Sequence, residues 1–203
     1  MARLKSVGKQ AVASRAADRR EQIMRGAGAV LRERKGSALN MQQVADRVGL
    51  VKGNIYYYFE DRQDLLYHCH VKCVEMSLAA LEEIAARADL SPRERLRELI
   101  VRHIEASLGS DYGGVLRSDM DEMKPAQRKR YVALRDRFEA GVRRLVEEGA
   151  AKGEFRKTSA ALAGFAILGS VNWMHKWYRE DGPMDLATVA RWFADYFIAG
   201  LRK

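Results

Sequence analysis

The stretch from Asn40 to Phe59, NMQQVADRVGLVKGNIYYYF, constrains this chain more than any other part of it. Ala45 falls where two short helices would cross closely and a small side chain is required. Gly49, four residues on, falls where a turn demands φ > 0. Ile55, six further, is placed to plug the space between the helices, and Val44, Val48 and Leu50 complete a small core. A lone glycine or alanine would mean nothing. The joint arrangement is a helix-turn-helix, a unit that lays its second helix in the major groove of DNA.

The second helix is expected over Lys52 to Tyr58. Lys52 can meet a phosphate or a guanine edge, and Asn54 a base edge or a phosphate. Gly53 lets the backbone approach DNA closely. Tyr56 and Tyr57 can donate hydroxyls to phosphates while their rings lie on sugars or thymine methyls. Tyr58 and Phe59 are expected to pack inward, because aromatics at this spacing cannot all face outward. Asn40, Met41 and Gln42 lie where a helix N-terminus points at a phosphate. Met41 offers no hydrogen bond, so any base reading there is apolar. Arg62, opening the following helix, is placed to hold a further phosphate.

The surrounding chain reads as all-α, with about nine helices and no convincing period-two alternation. Residues 1–17 read as a flexible basic arm, either a plain terminus or a minor-groove arm. From Asp18, residues Ile23, Ala27, Val30 and Leu31 share one face of a helix that Gly36 ends. Asn40 caps the next helix, with Gln43 completing a capping box. Asp61 caps a fourth helix running to about Ala88. Ser91-Pro92-Arg93-Glu94 opens a fifth with an N-cap serine, a proline at the first position and a capping-box glutamate. A short helix is expected over Val115 to Glu122, a long one from Lys124-Pro125, one capped by Thr158 running to about Arg179, and a last one after Asp181-Gly182-Pro183.

The 203 residues are 47% hydrophobic, enough for one large or two small cores, and carry a formal charge of +9. That balance favours polyanion partners. No signal-peptide pattern opens the chain, and the apolar run Ala160 to Met174 is broken by glycines and falls short of the ~20 residues that span a bilayer. A cytoplasmic protein without a membrane partner is expected.

Residues 18–67, above all VKGNIYYYFEDRQDLL, closely resemble the DNA-binding domain of the TetR family of bacterial repressors. The shared features are the small residue, the turn glycine, the glycine entering the second helix, the Tyr-Tyr-x-Phe end and the basic residue opening the fourth helix. Thr or Ser is common near Asn40, and Lys is commoner at Arg62, but both replacements keep the chemistry. The resemblance implies an all-helical homodimer on a double-stranded operator. Each subunit would carry an N-terminal three-helix unit at 18–67 and an effector-binding and dimerisation domain at 68–203. Within the latter, Asn172-Trp173, Trp177-Tyr178, Asp181-Gly182-Pro183 and the aromatic last helix are similar to members that respond to acyl-CoA thioesters.

Beside the resemblance, the residues themselves leave several points open. Arg93, Arg97, Arg102, Arg117, Lys124 and Arg128 can supply cations for CoA phosphates or can simply be solvated faces. Trp173 and Trp177 share a helix face, as do Trp192 and Tyr196 on the last helix, either as core or as a dimer interface in a four-helix bundle. His68, Cys69, His70 and Cys73 lack zinc spacing, and two cysteines one turn apart make a poor disulfide, so buried thiols beside ordinary histidines are expected. No phosphate loop, His-Glu-x-x-His or Gly-x-Ser-x-Gly is present, and no catalytic or metal residue and no cofactor beyond a small-molecule effector is assigned. The competing readings are an architectural DNA binder without effector and a helical enzyme with a basic surface.

Overall fold

A computed structural model describes residues 2–33, 38–117 and 123–203. Among the described residues there are eight α-helices and no strand. They are α1 (Ala2–Glu33), α2 (Met41–Arg47), α3 (Lys52–Ile55), α4 (Arg62–Ala85), α5 (Pro92–Ile104), α6 (Pro125–Ala151), α7 (Ala160–Trp177) and α8 (Leu186–Leu201). A π-helical turn, Glu105–Gly109, extends α5, and a 3-10 turn covers Gly113–Arg117.

The helix starts follow local chemistry. The Asn40 side-chain oxygen accepts from the backbone N–H of Gln42 and Gln43, at 2.9 and 3.4 Å. Asp61 accepts from Asp64 N at 2.7 Å. Ser91 and Glu94 form the reciprocal capping box. Other bounds differ from expectation. The first helix is drawn from Ala2, through the stretch read as an arm, rather than from Asp18. Ser159, not Thr158, caps α7, its hydroxyl accepting from Leu162 N at 3.4 Å. The turn Gly113–Arg117 covers only the start of the helix expected over 115–122, and residues 118–122, like Gly36, lie outside the described residues.

Two main cores form, and α4 belongs to both. Its first half gives Leu65, Leu66 and Cys69 to a core with Ile23, Ala27 and Leu31 of α1, Val44 and Ala45 of α2, and Ile55 and Phe59. Its second half gives Leu78, Leu81 and Ile84 to a larger core with α5, α6, α7 and α8. Between them Tyr67 and Val71 meet Tyr131 of α6. The boundary drawn at residue 67 therefore falls inside a continuous helix.

A second bridge between the cores is made by backbone. A Cβ on Gly28 of α1 would lie 2.0 Å from the Asp111 carbonyl oxygen, and one on Gly114 would lie 2.2 Å from the Gly28 carbonyl oxygen. Only hydrogen at both positions permits this approach. Polar contacts pin its flanks: Arg32 Nη1 donates to Ser110 O at 2.6 Å, and the Tyr112 hydroxyl donates to Glu21 at 3.0 Å.

Candidate nucleic-acid interface and internal cavity

The turn between α2 and α3 is built as its residue types require. Gly49 has φ +65°, a region that costs a residue with a Cβ roughly 1 kcal/mol or more. Beneath it Ala45 and Ile55 are fully buried. After Ile55 the backbone tightens, with the N–H groups of Tyr58 and Phe59 both donating to the Ile55 carbonyl. The second helix is therefore Lys52–Ile55 followed by a turn, shorter than the expected Lys52 to Tyr58. Phe59 is buried beneath the Arg20 guanidinium, 4.3 Å from its ring centroid, and Arg20 also donates to the Tyr58 carbonyl. The aromatic end of the motif is thus clamped to α1.

With Ile55 and Phe59 pointing in, Lys52, Gly53, Asn54, Tyr56 and Tyr57 all lie on the exposed side. Tyr57 is 84% exposed and its ring is held edge-on by the half-buried Tyr58, centroids 5.1 Å apart. A Cβ on Gly53 would meet nothing within 4 Å, so no contact within the subunit calls for glycine there. Asn40 and Gln42 are exposed at the start of α2, where Gln42 Nε2 is steadied by Asp46 Oδ1 at 2.8 Å. Arg62 is half-buried at the start of α4. Met41 is a correction: it is buried in the first core beside Leu39 and Val44 and faces no solvent. The cap at Asn40 turns the next side chain inward, which the apolar character of Met41 already favoured.

A cavity of about 380 Å³ opens among α4, α5, α6 and α7, within the ~300–1,000 Å³ range of small-molecule sites. Val74, Tyr131, Phe138 and Leu168 make it largely apolar, while Arg135, Asp136, Glu139 and the 55%-exposed Phe165 stand at its edge. Its polar lining includes Ser77, His103, Asn172 and the buried Ser107, with Ser77 Oγ 2.9 Å from His103 Nδ1. Burial, with a smaller push from the Arg135 charge, pulls the His103 pKa down to about 4. Of the cations that could serve CoA phosphates, those whose side chains are described do not line this pocket. Arg97 pairs with Asp195 at 2.6 Å, Arg102 with Glu83 at 2.8 Å and Lys124 with Glu60 at 2.6 Å. Neither Arg93 nor Arg128 is among the lining residues, and the Arg117 side chain is outside the described set. Among the described residues the cation at the cavity is Arg135, which charge counting alone does not single out.

Cys69 and Cys73 are both buried, and burial raises both thiols, Cys73 to about 11. His68 lies 3.5 Å from Asp64 and His70 is buried against the Tyr131 ring. Among the described residues no group of three or more His, Cys, Asp or Glu is placed to hold a metal, and no helix is long and apolar enough to cross a membrane.

On α7 and α8 a row of large apolar side chains is exposed: Leu162, Trp173 and Trp177, then Trp192 and Tyr196, the last two more than 70% exposed. Trp177 stacks on Phe193 of α8 with centroids 5.8 Å apart, so the two helices present one joined aromatic surface.

Comparison with known proteins agrees with this architecture. The family described as "Bacterial regulatory proteins, tetR family" matches residues 23–69, and "Tetracyclin repressor-like, C-terminal domain" matches residues 89–201. The chain is 22% identical over 196 residues to the HTH-type transcriptional repressor KstR2 of Mycobacterium tuberculosis, covering 95% of this chain and 97% of that protein. The crystal structure of the TetR family transcriptional regulator PfmR from Thermus thermophilus superposes with a TM-score of 0.77 at 32% identity, covering 89% of this chain and 99% of that one. The structure of AibR in complex with isovaleryl coenzyme A and operator DNA superposes with a TM-score of 0.73 at 20% identity, covering 91% and 98%.

Proposed function

Since the chain belongs to the tetR family of bacterial regulatory proteins and is a DNA-binding transcriptional regulator, we propose that it is a homodimeric repressor released from its operator by a CoA thioester. The observation that carries the DNA reading is the outward set Lys52, Asn54, Tyr56 and Tyr57, held rigid by the buried Ile55 and Phe59. Asn40, Gln42, Gly53 and Arg62 flank it and complete the proposed contact surface. Two subunits would set their α3 helices about one helical turn apart, ~34–36 Å, on a pseudo-palindrome. The second copy covers the exposed aromatic surface of α7 and α8, burying Trp173, Trp177, Trp192 and Tyr196. The site of action is the cytoplasm, where the DNA is.

The effector reading rests on the apolar cavity and on the similarity of this fold to AibR, whose complex holds both isovaleryl coenzyme A and operator DNA. The cavity takes the acyl part, and the nucleotide lies outside, near Arg135. Three physical connections link cavity to α3. The first is the shared helix α4. The second is the start of α6, where Gln127 Nε2 donates to Asp64 Oδ1 at 2.9 Å and Lys124 pairs with Glu60. The third is the turn containing Leu116, which lines the cavity and packs on α1. A coupling of ~1–3 kcal/mol through them suffices for a graded response.

The test is fluorescence anisotropy of duplexes tiled across the DNA flanking the gene, with and without short- and long-chain acyl-CoA. Salt-dependent binding to one duplex, weakened by a thioester, is expected. Binding to every duplex alike would point to an architectural protein, and no binding to any would end the DNA reading.

A further inference from the structure

We infer that the buried part of the effector carries a hydroxyl group that donates a hydrogen bond to His103 Nε2 at the cavity wall. This rests on reading that cavity as the effector site.

The cavity walls would suit a plain hydrocarbon, but His103 does not. Its Nδ1 faces Ser77 Oγ at 2.9 Å, and the same hydroxyl donates to the Cys73 carbonyl at 3.2 Å, so Ser77 is fully used. The ring lies against Phe138 with centroids 4.6 Å apart, which fixes its plane. The opposite nitrogen, Nε2, is buried and has no hydrogen-bond partner among the described residues. Folded proteins leave few such atoms, because each forfeits its hydration without replacement. His103 thus lines a ligand-sized space with one nitrogen held and the other unmet and closed over, so a small shift of the wall is what brings a guest's hydroxyl to Nε2.

The guest's polarity follows from the surroundings. The imidazole is neutral at pH 7, since burial holds its pKa near 4. It offers no charge to a carboxylate or phosphate. The charged groups at the cavity, Arg135, Asp136 and Glu139, stand at the edge, where an ionised portion belongs. Because the Ser77 hydroxyl donates to Cys73, the contact with Nδ1 is made by Nδ1–H donating to Ser77 Oγ, so the neutral ring presents Nε2 as an acceptor and the guest must be the donor, as a hydroxyl is and a keto oxygen is not.

The experiment has two arms on the full chain. In the first, ligand-observed NMR compares cyclohexanol and cyclohexanone with methylcyclohexane, which have similar size and no CoA. Cyclohexanol should bind about tenfold more tightly than methylcyclohexane, and more tightly than cyclohexanone. The preference should vanish in His103→Phe and persist in His103→Gln, both checked for unchanged helicity. Equal or tighter binding of methylcyclohexane, or a preference untouched in His103→Phe, overturns the inference. In the second arm, calorimetry compares octanoyl-CoA with its β-hydroxy, β-keto and ω-hydroxy derivatives. At least one hydroxy derivative should bind tighter than octanoyl-CoA and than the β-keto derivative. Octanoyl-CoA binding as well as both hydroxy derivatives overturns the inference but keeps the thioester reading. Binding of no thioester, with the first arm positive, overturns the thioester reading alone.

Discussion

Met41 and Tyr57 separate two kinds of residue within one motif. Both lie where a sequence reader places DNA contacts, yet one is sealed in the core and the other is almost wholly exposed. Met41→Ala should cost roughly 2–5 kcal/mol of stability by leaving a cavity, read as a lowered denaturant midpoint, with base preference unchanged. Tyr57→Ala should leave that midpoint alone and weaken operator binding, by ~1.5–3 kcal/mol if its hydroxyl meets a phosphate; unchanged affinity would misplace the residue. Lys52→Ala should lower the slope of log affinity against log salt by about 1 if it neutralises a phosphate. The histidines govern acid stability. His70 and His103 are buried neutral with pKa values pulled down to about 4, while unfolded chains titrate near 6.5. Above that pH both states are neutral and stability is unaffected. Between about 6.5 and 4 only the unfolded chain takes up the protons, so stability falls as pH falls, by about 1.4 kcal/mol per pH unit for each histidine. Urea titrations across that window check the slope.

At the scale of elements, starts were more legible than ends or crossings. Asn40, Asp61 and Ser91 with Glu94 announce their helices because an N-cap closes a hydrogen bond within three residues of itself. The end of α3 was not legible, because two N–H groups converge on one carbonyl under pressure from the Phe59 packing. Which cation serves the pocket was not legible, because Arg97 and Arg102 find carboxylates on other helices, a matter of tertiary placement. The meeting of Gly28 with the Gly114 turn leaves no local trace either, since each glycine alone reads as a weak point in a helix or loop. Gly28→Ala tests it. Alanine gains about 1 kcal/mol of helix propensity, but its methyl would press on the Asp111 carbonyl. The backbone must part to admit it, so a net loss of stability is expected, with the thermal midpoint lowered and operator affinity reduced together.

The whole molecule is organised by what is left uncovered. The exposed aromatics of α7 and α8 form a joined apolar surface of the kind that marks an interaction site. Trp192→Glu should yield a monomer in sedimentation, with helicity retained and operator affinity sharply lower because one subunit reads only half a site. Phe165 adds a consequence of its own. It borders the cavity and stands exposed on the same helix as Leu162 and Trp173, so the proposed guest and the proposed twin subunit would lean on one ring. Two equilibria that share a side chain share a free energy. Diluting the protein until its halves separate must then alter how firmly it grips its guest, and the guest must alter the grip between the halves by an equal factor.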